Sequence, residues 1–213
     1  MESSVTDTAA NNKSLEVSDE EIRQMVAESD TGGRRPSGAV AKLIVGVAML
    51  WSLFQLWVAS PLPFSFGVFV FNDTEVRSIH LAFALFLGYM LFPSFKRSPR
   101  TYIPLPDWIL GLIAAFCAAY LFLFYKELAM RPGQPTTLDL VVAVTGIALL
   151  LEGTRRVVGL PMTIMACLFL AYMFLGPYMP DVIAHKGASF VKGMTHQWLS
   201  TEGVFGVALD LVV

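Results

Sequence analysis

The sequence predicts an all-α fold: a polytopic integral membrane protein with about five transmembrane helices, a sixth begun at the C-terminus and a mostly disordered N-terminal tail. Three observations predict it. Apolar blocks at residues 43–58, 79–92, 108–125, 140–151 and 160–179 are separated by short polar connections. Hydrophobic residues make up 55% and charged residues 15% of 213, with mean hydropathy +0.60, more apolar surface than a soluble core of this length would bury. The blocks also lack the polar-in alternation of barrel strands. A segment in hydrocarbon must close its own backbone hydrogen bonds, so the remaining solution is a helix.

Residues 1–38 form the predicted cytoplasmic, largely disordered acidic tail, with eight acids against four bases, a net charge of −4; the remainder is +2. Within the tail, Ser18-Asp19-Glu20-Glu21 has the order of a capping box. Ile22, Met25 and Val26 would share one face of the short helix that follows, either a lone amphipathic turn or a docking helix. Because residues 1–42 are mostly polar and acid-rich rather than basic and then apolar, no signal peptide is read, and the first block is an uncleaved span.

Lys and Arg collect at cytoplasmic ends of spans. Arg34, Arg35, Lys42, Lys96, Arg97, Arg100, Arg155 and Arg156 fall on one side, and Arg77, Lys126, Arg131, Lys186 and Lys192 on the other. This distribution predicts a cytoplasmic N-terminus.

After the first span, Ser60-Pro61-Leu62-Pro63 cannot continue a regular helix, and residues 64–71 are apolar but too short to cross, so an interfacial or re-entrant piece is expected. Pro104 and Pro106 suit the start of the third span, which Trp108, Tyr120 and Tyr125 bracket at the interfaces. The fourth span is short and contains Gly146. It runs into Glu152-Gly153-Thr154-Arg155-Arg156, and Gly159-Leu160-Pro161 interrupts the chain before the fifth. Such broken segments point to discontinuous transporter helices. Glu152 lies three and four residues before Arg155 and Arg156, a spacing that serves either an exposed ion pair or a lock between neighbouring helices.

Asp139 suits the N-terminus of the fourth span as a cap. His80, near the start of the second, is read as a packing residue with a proton relay as the alternative. Asp210 is an acid inside an apolar run and therefore a candidate site. Residues 181–202 place Ile183, Phe190, Met194 and Trp198 where an amphipathic helix lying on the membrane surface would need them. Cys117 and Cys167 read as small buried hydrophobes, with no metal spacing around them. No nucleophile with its base, no phosphate loop, no metal constellation and no nucleic-acid signature is present, which disfavours an enzyme or a nucleic-acid binder. Nor is there a periodicity of polar residues that would line a small channel.

Four stretches carry a family resemblance: Arg77-Ser78-Ile79-His80-Leu81; Ile103-Pro104-Leu105-Pro106-Asp107-Trp108; Leu149-Leu150-Leu151-Glu152-Gly153-Thr154-Arg155-Arg156-Val157-Val158-Gly159-Leu160-Pro161; and Leu199-Ser200-Thr201-Glu202-Gly203-Val204-Phe205-Gly206-Val207-Ala208-Leu209-Asp210. Over about residues 40–210 the chain resembles the fused permeases of tripartite ATP-independent periplasmic (TRAP) transporters, specifically the 4TM/12TM fusions that work with TAXI-type binding proteins. The resemblance implies a bacterial inner-membrane permease, driven by a sodium gradient, that imports small organic acids such as C4-dicarboxylates from a periplasmic TAXI-type solute-binding protein. It implies a DctQ-like small-subunit region over 39–134 and the beginning of a DctM-like region over 135–213, with the junction at residues 130–134 or near Val158. The family pattern continues beyond Asp210 through spans that hold the substrate and sodium sites. The chain is therefore expected to be a truncated form that needs the remaining DctM-like region, with a non-transporting membrane scaffold as the alternative. Glu152, Arg155, Arg156 and Asp210 are the candidate coupling or helix-locking residues.

Overall fold

The computed structural model describes residues 33–34, 36–95, 98–99, 101–206 and 209. The capping box expected at Ser18, the basic residues Arg35, Lys96, Arg97 and Arg100, and Asp210 lie outside the described residues. Contacts divide the chain into residues 1–33 and a second unit, residues 34–213, which holds everything discussed below.

The second unit is built of helices, with no strand among the described residues. Helix α1 (Gly38–Ala59) ends where Ser60 turns back, its N–H and hydroxyl both donating to the Trp57 carbonyl, just before Pro61. The apolar piece that follows forms only a short helix, α2 (Leu62–Phe66), closed by Gly67 at φ +64°, a left-handed turn that glycine adopts without a Cβ clash. Helix α3 (Asp73–Leu91) starts with a complete capping box: Asn72 Oδ1 accepts from the Glu75 N–H and Glu75 Oε2 from the Asn72 N–H, each at 2.9 Å. Helix α4 (Leu105–Leu123) starts at Pro104 and Pro106, and α5 (Tyr125–Met130) continues it after a one-residue break at Phe124.

Helix α6 (Thr137–Val157) opens on a second capping box, Thr136 with Asp139, as the sequence predicts for that carboxylate. It is joined to α7 (Leu160–Leu175) by Val158 and Gly159 alone. Gly159 sits at φ +109° and ψ 178°, a region essentially reserved for glycine. A 3-10 turn (Gly176–Tyr178) extends α7, and α8 (Phe190–Leu199) follows it.

Four of these helices are long and apolar enough to cross a membrane: α1, α4, α6, and α7 continued through its 3-10 turn to Tyr178. At 19 to 22 residues they measure roughly 28–33 Å, the thickness of a hydrocarbon layer. The expectation of five spans with a sixth begun is therefore not confirmed. The block at 79–92 does become a helix, α3, but its first turns carry Asp73, Glu75 and Arg77, which lower its apolarity below that of the other four. Residues 204–206, at the start of the expected sixth span, are turn and bend, and only residue 209 beyond them is described.

The core lies where α3, α4 and α6 pack together. It contains Leu81, Leu85, Tyr89 and Met90 from α3, Ala114, Cys117, Ala118 and Leu121 from α4, and Val142, Ala143 and Ile147 from α6. Gly111 lets α4 approach α3 closely, since a Cβ there would come within 2.8 Å of Met90 Cε. By contrast α1 and α7 are peripheral, each with only 6% of its spanning window buried. Cys167, on α7, is accordingly exposed, against the buried position its apolar block predicts, because α7 presents most of its surface outward; Cys117 is buried as expected.

Candidate functional site: a buried arginine–carboxylate cluster

At the end of the bundle where α3 finishes and α4 starts, five charged residues converge. Asp107, in the first turn of α4, accepts from two guanidinium groups. Arg34 pairs with its Oδ2, and Arg156 Nη1 donates to its Oδ1 at 2.9 Å. The side chains of Arg34 and Arg156 are 0% and 1% exposed, and that of Asp107 is 7% exposed. Arg34 is fixed further: its Nε donates to the Pro99 carbonyl at 3.2 Å, its Nη1 to the Tyr89 carbonyl at 3.4 Å, and its backbone N–H to the Leu91 carbonyl at 2.6 Å.

On α6, Glu152 Oε1 accepts from Arg156 Nε at 2.9 Å and Glu152 Oε2 from Arg155 Nε at 2.7 Å. Arg155 Nη2 donates to the Ser94 carbonyl at 2.9 Å, and the Ser94 hydroxyl donates to Asp107 Oδ1 at 3.3 Å. The Arg156 guanidinium lies 4.4 Å from the centroid of the Tyr89 ring, whose hydroxyl donates to the Leu149 carbonyl at 2.8 Å. Three cations and two carboxylates thus tie the segment before α1, the end of α3, and helices α4 and α6.

Both sequence readings of the 152–156 motif are present in part. Glu152 and Arg155 form the partly exposed pair along one helix, at 30% and 27% exposure. Arg156 makes the lock between helices through Asp107, a partner that the motif does not contain. Sequence reasoning read Asp107 only as part of a family-like stretch. Its signal was an acid at the very entrance of a long apolar run, in the first turn of the helix. Arg34, read as one more basic residue before the first span, gave no sign of being buried.

Polar groups at the opposite end of the bundle also serve packing. Arg77 Nη1 donates to the carbonyls of Phe205 at 3.0 Å and Gly206 at 3.4 Å. Asp139, fully buried, accepts from the Tyr120 hydroxyl at 2.7 Å and pairs with Arg131 Nη1 at 2.9 Å. His80 is buried against Trp51 and hydrogen-bonded to Gln55, the packing role favoured for it. Among the described residues no three His, Cys, Asp or Glu side chains are grouped so as to hold a metal ion.

Helix α8 corrects the surface-helix expectation. Ile183 and Phe190 are exposed, but Trp198 is buried, its ring over Gly146 and its Nε1 donating to the Cys117 carbonyl at 3.0 Å. Cys117 lies six residues, roughly 9 Å, in from the end of α4. The C-terminal end of α8 therefore dips between α4 and α6 instead of lying on the surface. Comparison of the chain with protein-family models, with curated proteins and with solved structures finds no match.

Proposed function

We propose that the chain is a membrane-embedded permease component of a TRAP-type secondary transporter, taking up small organic acids such as dicarboxylates on a sodium gradient. In this reading a periplasmic TAXI-type binding protein delivers the substrate, the Arg34 end of the bundle faces the cytoplasm, and a further DctM-like region completes the transport path. One observation carries it. The four stretches on which the resemblance rests meet in pairs: Asp107 of the second binds Arg156 of the third, and Arg77 of the first binds the Phe205 and Gly206 carbonyls of the fourth. Residues that carry the likeness thus also carry long-range polar contacts, as a shared architecture requires. The test is uptake of labelled succinate into proteoliposomes holding the chain, a DctM-like region and the binding protein. Uptake that needs all three and an inward sodium gradient is the expected result; its absence with every component folded would overturn the reading.

A second reading is favoured by a different observation. The acids in the spanning helices, Asp107, Asp139 and Glu152, are all engaged in ion pairs within this chain. That suits a membrane scaffold that organises a partner. On both readings residues 1–213 alone would not accumulate substrate, and co-purification with a membrane partner without uptake in the full reconstitution would select the scaffold.

A further inference from the structure

At the Arg77 end of the bundle, a cavity of roughly 500 Å³ opens between the connection from α5 to α6 and helix α8. Its polar groups are dominated by cations. Lys192 and His196 are four residues apart on α8, hence on one face, and both line the cavity, as does Arg131. Lys192 forms no ion pair among the described residues, whereas Arg131 is engaged by Asp139.

The one carboxylate in the lining is that of Asp139. Its oxygens already accept from the Tyr120 hydroxyl, the Thr136 N–H and Arg131, so it offers little to an incoming cation. Glu202 stands 3.6 Å from His196 Nε2 but is 79% exposed and outside the lining. With Asp139 offset by Arg131, Lys192 leaves the cavity with a surplus positive charge. His196 adds an N–H donor in either protonation state. Leu128 and Leu199 give the same cavity an apolar side.

The position is as informative as the charge. Asp139 is the third residue of α6, and Arg131 follows the short α5 that continues α4, so the cavity sits beside the start of a helix long enough to span, where headgroups meet a bundle. A lysine ammonium and an imidazole N–H are donors to phosphate oxygens, and at the end of a span the phosphate on offer is that of a lipid headgroup.

We propose that this cavity binds the phosphate group of an anionic phospholipid headgroup, with Lys192 and His196 as its donors. Free inorganic phosphate has the same chemistry, and the experiment separates the two sources. The full chain, purified in neutral detergent, is titrated with phosphatidylglycerol and separately with inorganic phosphate. Bound lipid is read by native mass spectrometry, and phosphate by the shift in Tm. Loss of charge-assisted hydrogen bonds in Lys192→Gln/His196→Gln is expected to weaken retention of phosphatidylglycerol at least about tenfold, with Tm in the absence of lipid unchanged. Both side chains are exposed, so the double variant keeps the fold. Phosphate that displaces the lipid at low concentration from the wild type, and not from the double variant, would overturn the lipid as source. Equal retention of phosphatidylglycerol by the wild type and the double variant would overturn the site itself.

Discussion

Asp107 is the residue on which the buried charge at the Arg34 end depends. Its two oxygens serve two nearly inaccessible guanidinium groups, so Asp107→Ala would leave Arg34 buried without a counter-ion and Arg156 with the partly exposed Glu152 alone. Breaking such a pair from one side costs about 3–5 kcal/mol, and thermal unfolding of the purified chain in detergent should report a loss of that order. Glu152→Ala removes the partly exposed partner, and Arg156 keeps Asp107, so the loss should be about 1 kcal/mol or less. Equal losses for the two variants would mean that Asp107 is not the pivot. The motif at 152–156 was legible because acid and base recur at helical spacing. Arg34 was not, since nothing local distinguishes a basic residue that flanks a span from one that plugs into the bundle 73 positions away. Asp139 was legible as a cap because a carboxylate suits the start of a helix, but its pairing with Tyr120 and Arg131 depends on tertiary placement.

At the scale of the element, α8 is the most instructive. Its spacing of apolar residues defines one apolar face, and periodicity cannot say whether lipid or protein covers that face. The decisive feature lies elsewhere in the chain, in Gly146, which sequence reasoning took as part of a short, broken span. It is a notch in α6 that receives the Trp198 ring, and any Cβ there would overlap the indole. Gly146→Ala is expected to displace Trp198 and destabilise by about 1–3 kcal/mol, seen as lower Tm with a red-shifted tryptophan emission. Trp198→Ala, which empties the notch, should cost about 3–5 kcal/mol. An unshifted emission spectrum in Gly146→Ala would contradict the packing described. The helix boundaries at Pro61 and Pro104 were readable from proline chemistry alone, whereas the capping boxes at Asn72 and Thr136 emerge from the structure.

For the whole molecule, basic residues among the described ones fall at both ends of the bundle. Arg34, Arg155 and Arg156 share one end, with Arg77 and Arg131 at the other. Reporter fusions should find residues 93–104 in the cytoplasm and residues 131–136 outside it; the reverse pattern would overturn the assignment. The all-helical membrane architecture followed from block length and composition, whereas the number of spans did not. Two of the charges on the first turns of α3 are met at the end of the helix, Glu75 by the capping box with Asn72 and Arg77 by the Phe205 and Gly206 carbonyls, the latter a property of assembly that no window of sequence contains.

The joint at Gly159 has a mechanical meaning. Two rods long and apolar enough to cross a bilayer share a joint of two residues, and the inner rod carries Arg155 and Arg156 in its last turn. With only Val158 and Gly159 between the two helices, whatever sets the direction of the almost uncovered α7 starts within a few residues of those guanidinium groups.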